Sequence, residues 1–266
     1  MTTAPKVEQL EEPAKGTVDE TLTAVPGDWR FDGKVAEQFD SHVRKSVPVY
    51  DQMQDMVVEV SEWFVRDGVT IYDLGSATGR TIELLHAKHQ TKKGLCYVGI
   101  DNSYPMIEKA RQRCPQDNVN FLCQGIGDVR EFLDAGLVVS IYTLQFLSVS
   151  QRRNVLARIY RDLSEGGALL LCEKVLGETA LFDDIWSQLH WDMKLGNGFT
   201  CEQVFGKARS LRGIMVPLTL SENFHMLRDV GFTHVDVFMK MYNFTGILAI
   251  KMGSGETKSW DSDDQD

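Results

Sequence analysis

The chain is short of several things. Of its 266 residues only seven are proline and five are cysteine. No apolar run reaches the roughly 18 residues that would cross a bilayer, and Met1 to Ala14 lacks the basic start and apolar centre of a secretory signal. These absences read as a cytoplasmic protein without membrane contact. Cys96, Cys114, Cys123, Cys172 and Cys201 are odd in number, scattered and free of any CxxC pair. That pattern argues against a disulfide framework and against a metal site. Positive charge is scarce too, with a formal net charge of -10. Residues 1–26 hold five acids and two lysines, and residues 254–266 five acids and one lysine, so both ends read as disordered acidic tails. Without a basic surplus, no direct nucleic-acid binding is expected.

Between the tails, residues 27–253 alternate helical and strand patterns, the sign of βαβ units around a mostly parallel sheet. Apolar residues at helical spacing run through 35–39 and 50–65. Strands are expected at 69–74, 95–100, 119–123, 137–142 and 168–173, with helices at 81–89, 105–114 and 150–163. Gly166 and Gly167 read as the C-terminal cap of the last of these helices. The alternation lapses over about 178–220, a helical insertion. It resumes with a helix at 221–230 and strands at 234–240 and 246–252 that suit a closing hairpin. The expected fold is α/β, a Rossmann-like seven-stranded mixed sheet with a helical insertion before the last strands.

Chemistry concentrates where the first strand meets the first following helix, in Ile71-Tyr-Asp-Leu-Gly-Ser-Ala-Thr-Gly-Arg80. Gly75 and Gly79 allow close backbone approach, and the helix start beyond them offers free N–H groups to a polar ligand. Asp101 ends the next strand, 26 residues after Gly75, where a carboxylate can accept both hydroxyls of a ribose. The loop lacks the middle glycine of GxGxxG and the lysine of a phosphate-binding Walker loop, so no pyrophosphate cradle is evident. A nucleoside-type cofactor is the remaining reading.

This Asp-Leu-Gly-x-x-x-Gly loop, Asp101, the Gly127-Asp128 pair and the closing hairpin resemble class I S-adenosylmethionine-dependent methyltransferases. The resemblance is more specific further out. Gly27-Asp-Trp-Arg-Phe-Asp-Gly, Ser46-Val-Pro-Val-Tyr50, Ile100-Asp-Asn-Ser-Tyr-Pro-Met-Ile107, Thr143-Leu-Gln-Phe-Leu147, Gly166-Gly-Ala-Leu and Glu173-Lys174 look like the carboxy-S-adenosylmethionine synthases of tRNA wobble-uridine modification. The resemblance implies S-adenosyl-L-methionine as cofactor. Tyr50, Asp73, Gly75, Ser76, Ala77, Gly79, Asp101 and Asn102 would hold its methionine and ribose, Asp128 and Val129 its adenine. In that family the cofactor and prephenate yield a carboxylated sulfonium.

Two positions depart from the pattern. Ile141 stands where the family has an Asn that contacts the cofactor, and Ala208 where it has an Arg that holds the added carboxylate. Arg209 is adjacent, but neighbouring helical residues diverge by about 100°. The departures favour methyl transfer to an unidentified small-molecule acceptor. Alternatives are carboxy-S-adenosylmethionine synthesis and a non-catalytic nucleoside-binding relative. His190, with a near-neutral unperturbed pKa, is the candidate base, and Arg209 is the other candidate catalytic residue. Trp191, Lys207, Arg212 and Tyr242-Asn243-Phe244 are expected at the pocket mouth, and the insertion resembles a dimer-forming region, so a homodimer is expected.

Overall fold

A computed structural model describes residues 33–253, together with the paired two-residue strands β1 (Gly16–Thr17) and β2 (Thr23–Ala24). The rest of 1–32 and all of 254–266 lie outside the described residues. The tail assignments and the Gly27 motif therefore fall outside them, except for those four strand residues. Along the described chain run α1 (Gly33–Ser46), α2 (Tyr50–Ser61), β3 (Thr70–Leu74), α3 (Arg80–Lys88), β4 (Cys96–Asp101), α4 (Tyr104–Arg113) and β5 (Val119–Cys123). Then come β6 (Ala135–Ile141), α5 (Val149–Asp162), β7 (Leu163–Lys174), α6 (Ala180–Gly196), α7 (Cys201–Ser210), α8 (Leu220–Asp229), β8 (His234–Met241) and β9 (Phe244–Ile250).

The seven strands β3 to β9 form one sheet in the order β5-β4-β3-β6-β7-β9-β8. Its first five strands are parallel, and β9 runs antiparallel to both its neighbours. The chain builds outward from β3 through β4 to β5, then returns to place β6 on the other side of β3. A crevice opens at the carboxyl ends of strands where such an order reverses. The strands are apolar on both faces because helices cover both, and period-two alternation sorts the side chains. Val138 and Leu169 join the layer of α5 and α8 through Leu156, Ile159 and Leu227. Leu137 and Leu170 join the layer of α2, α3 and α4 through Met53, Leu85 and Ile107.

The elements start where side chains can satisfy free N–H groups. Ser148 and Gln151 make a reciprocal capping box on α5, as do Thr200 with Gln203 on α7 and Thr219 with Glu222 on α8. Gly166 and Gly167 do not cap α5; they lie inside β7, which begins directly at Leu163. Gly166 takes φ 72° and its N–H donates to the Lys251 carbonyl, so sheet pairing claims what looked like a helix stop. The expected insertion consists of α6 and α7 with their connections.

Candidate active site

A cavity of about 820 Å³ opens above the carboxyl ends of β3, β4, β6 and β7, roofed by α1 and α2 on one side and by α6 and α7 on the other. Its floor is set by the glycine loop. Gly75 has φ 78° and its N–H donates to the Ile100 carbonyl at 2.7 Å, which locks β3 to β4. A Cβ placed on Gly75 would stand 2.2 Å from Thr143 Oγ1, so no other residue fits against the end of β6. Asp101 receives the Ala77 N–H at 3.0 Å and the Ser103 N–H at 2.8 Å. The carboxylate thus ties together the loops after β3 and β4 while still lining the cavity. Burial raises its pKa against the pull of those N–H donors.

Of the expected cofactor residues, Tyr50, Gly75, Ser76, Ala77, Asp101, Asn102, Asp128 and Ile141 all line this one cavity. Asp73, Gly79 and Val129 do not. Asp73 is buried beneath the loop with Oδ2 unpartnered among the described residues, and burial, then the charge of Asp101, pushes its pKa up to about 7. Gly79 supports the turn from behind, close to Ala110 and Phe121. Val129 is buried in the core, and no helix follows Asp128, which is the last residue of a single 3₁₀ turn.

The expected catalytic pair is not assembled. Arg209 is exposed and does not line the cavity, because α7 turns it outward. His190 does line it, but its Nε2 sits 2.9 Å from the Ser46 carbonyl at the end of α1. A carbonyl only accepts, so Nε2 carries the proton. Burial first, and the charge of Lys194 second, bring the imidazole pKa down to about 3. So weak a base cannot take a proton efficiently near neutral pH. Its ring packs on Phe244 with centroids 4.9 Å apart, and the residue supports the wall instead.

Sequence reasoning missed the strongest electrostatic feature. Lys174 at the end of β7, Lys194 on α6 and Lys207 on α7 line the insertion end of the cavity, with Arg212 just beyond α7. Burial lowers the pKa of all three lysines. Lys174 adds to the effect on Lys194, bringing it to about 8, and Lys194 adds to the effect on Lys207. The carboxylates among the described lining residues are Asp101 and Asp128, both at the other end. Lys207 and Arg212 were expected at the mouth; Lys174 entered only through the Glu173-Lys174 resemblance, and Lys194, among the charges of a helix, carried no signal. Glu173 is buried beside Arg152 at 4.0 Å, and burial raises its pKa to about 8. Arg152 Nη2 donates to the Val216 carbonyl at 2.6 Å and Nε to the Leu144 carbonyl at 3.1 Å, which fastens the return of the insertion to the wall after β6.

Fold and site define a class I methyltransferase-type protein. A model described as a methyltransferase domain matches residues 71–167. Solved structures share the fold at low identity: human N-acetylserotonin methyltransferase has a TM-score of 0.57 at 17% identity, over 86% of this chain and 61% of that one. An O-methyltransferase family protein from Burkholderia thailandensis has 0.57 at 19%, over 85% and 61%. Curated relatives are more specific. The carboxy-S-adenosyl-L-methionine synthase of Staphylococcus epidermidis is 37% identical over 85% of this chain and 98% of its own length. That of Methylococcus capsulatus is 36% identical over 84% and 94%. The chain belongs to the carboxy-S-adenosyl-L-methionine synthase family, in which S-adenosyl-L-methionine is the cofactor expected from the sequence.

Proposed function

We propose that the protein carboxylates S-adenosyl-L-methionine, with prephenate as the carboxyl donor. The observation that carries this reading is the division of charge in one cavity: carboxylates at the nucleoside end, three lysines and Arg212 at the insertion end. Lys174 disfavours the charge of half-buried Lys194 beside it, and an anion bearing two carboxylates would offset that cost. In the balanced reaction prephenate gives up its carboxyl group and ring hydroxyl to become phenylpyruvate. The S-methyl carbon exchanges a proton for the carboxyl group, and the proton and hydroxyl leave as water. The glycine loop, Asp101 and Asp128 would hold the nucleoside, Tyr50 would cover the sulfur end, and the lysines would neutralise and orient the donor. Arg212 lies one helical turn beyond Ala208 and lines the same cavity, so it would supply the guanidinium that Arg209 does not.

Methyl transfer to an unnamed acceptor, the first expectation from sequence, has less support, since the curated relatives carry the synthase name and the pocket ends in cations. The assembly we propose is a cytoplasmic homodimer, joined through the outward stripe of α6. Incubation with S-adenosyl-L-methionine and prephenate, followed by mass spectrometry, tests the activity. The expected product is heavier than the cofactor by one carbon dioxide, with phenylpyruvate released in equal amount. Unchanged cofactor, or loss of its methyl group to an acceptor, would overturn the proposal.

A further inference from the structure

Tyr142 combines two features that cost the fold free energy. It leaves β6 with φ 56°, a left-handed conformation that aromatic residues seldom adopt. Its hydroxyl is buried and meets no hydrogen-bond partner among the described residues. Strain of this kind and orphaned polar atoms persist where the surroundings use them, and they gather at ligand sites. The strain has a local geometric result: it turns Thr143 so that its hydroxyl donates to the Ile141 carbonyl at 3.1 Å and its side chain presses on Gly75. The orphaned hydroxyl is not explained by that turn, because Phe could make the same one.

Position says what the hydroxyl serves. Tyr142 lines the cavity between its two ends. On one side its ring centroid is 6.4 Å from that of Tyr50, beside the nucleoside loop. On the other it stands 5.3 Å from Phe244, over which Lys174 Nζ lies at 6.0 Å. Its neighbour Ile141 brings no polar atom to this junction. Burial raises the phenol pKa, so the group is a hydrogen-bond donor at all ordinary pH. The hydroxyl can give its proton to a carboxylate in a charge-assisted bond, whereas to a sulfonium it can present only its oxygen lone pairs.

We propose that the Tyr142 hydroxyl donates a hydrogen bond to the carboxylate borne by the carbon next to the cofactor sulfur, and so selects the carboxylated form over S-adenosyl-L-methionine. This rests on the synthase reading above. The test is Tyr142→Phe, which removes one oxygen and leaves the ring. Calorimetry would compare S-adenosyl-L-methionine with its carboxylated form, prepared by alkylating S-adenosyl-L-homocysteine with iodoacetate. The wild type is expected to prefer the carboxylated ligand, and the variant to lose about tenfold of that preference. Its thermal midpoint should be unchanged or higher, since an unpaired buried hydroxyl has been removed. A variant that keeps the full preference, or that melts at clearly lower temperature, would overturn the assignment while leaving the synthase reading intact. A wild type that binds both ligands equally would also overturn the assignment, whereas the synthase reading fails only if S-adenosyl-L-methionine and prephenate give no carboxylated product.

Discussion

Asp40 on α1 and Arg113 on α4 meet at 2.5 Å beside the glycine loop, although 73 residues separate them in the chain. Thr78 of the glycine loop completes the contact: its hydroxyl donates to Asp40 at 2.6 Å, and Arg113 Nη1 donates to its carbonyl at 3.0 Å. Burial alone would raise the Asp40 pKa, but the Thr78 and Arg113 bonds hold it below the ordinary carboxylate range. The helix that roofs the cavity is thereby pinned to the loop beneath. Its other end is held by α6, where the Asn197 side chain donates to the Lys45 carbonyl at 3.0 Å. Asp40→Ala should release the roof. With about 1–2 kcal/mol at stake for a partly exposed charged hydrogen-bond pair, S-adenosyl-L-methionine should bind roughly five- to thirty-fold more weakly, mainly through faster dissociation in stopped-flow measurements.

Gly75→Ala should abolish cofactor binding. The new Cβ would stand 2.2 Å from Thr143 Oγ1 at a φ of 78° that L side chains avoid. Calorimetry should find no heat with S-adenosyl-L-methionine, and thermal unfolding should show a loss on the order of 2–4 kcal/mol.

The lysine cluster should make donor binding pH-dependent. Lys194, lowered to about 8, loses its proton as pH rises through that value, and with it part of the attraction for a carboxylate. KM for prephenate should therefore climb above about pH 8, and Lys194→Gln should raise KM at pH 7 by about tenfold or more while flattening that climb. A KM that is flat with pH and unchanged in the variant would remove Lys194 from the donor site.

Asp73 has the opposite consequence for stability. Its folded pKa of about 7 lies above the ordinary carboxylate value of 3.8, so between these values folding takes up a proton, and stability falls as pH rises through the window. Asp73→Asn should leave the ligand-free protein little changed near pH 4. It should stabilise it at pH 8, by an amount on the order of 1–3 kcal/mol, read from denaturant midpoints at the two pH values.

The outward face of α6 carries Leu181, Ile185 and Leu189 at successive four-residue steps, all exposed, with Phe182 beside them. Light scattering should give the mass of a dimer, and Ile185→Lys should yield a folded monomer of unchanged melting shape. A wild-type monomer would refute the assembly proposed above.

Much of the fold was legible from residue order. Alternating runs such as Leu137-Val138-Val139 specify strands buried on both faces, because side chains separated by one residue point to opposite layers. The Asp-Leu-Gly turn and Asp101 marked one end of the cavity for a similar reason: a glycine at positive φ and a carboxylate at a strand end have local, recognisable spacing. Misreadings arose where local spacing was silent. Gly166 looked like a helix stop because a left-handed glycine serves equally well inside an irregular strand. His190 looked like a base because its intrinsic pKa is near neutral, and only packing against Phe244 and the bond to Ser46 make it a support.

By itself, the order of residues determined the sheet, the helices that cover it and the glycine loop after β3, since all three depend on periodicity and on contacts close along the chain. Tertiary structure decided what stands opposite that loop. Lys174, Lys194 and Lys207 come from a strand and two helices, and only their convergence in one cavity gives a field that no single segment encodes. The same packing left Arg209 in solvent and set Tyr142 between Tyr50 and Phe244 in that cavity, because which side chains meet depends on how elements distant in the chain are packed.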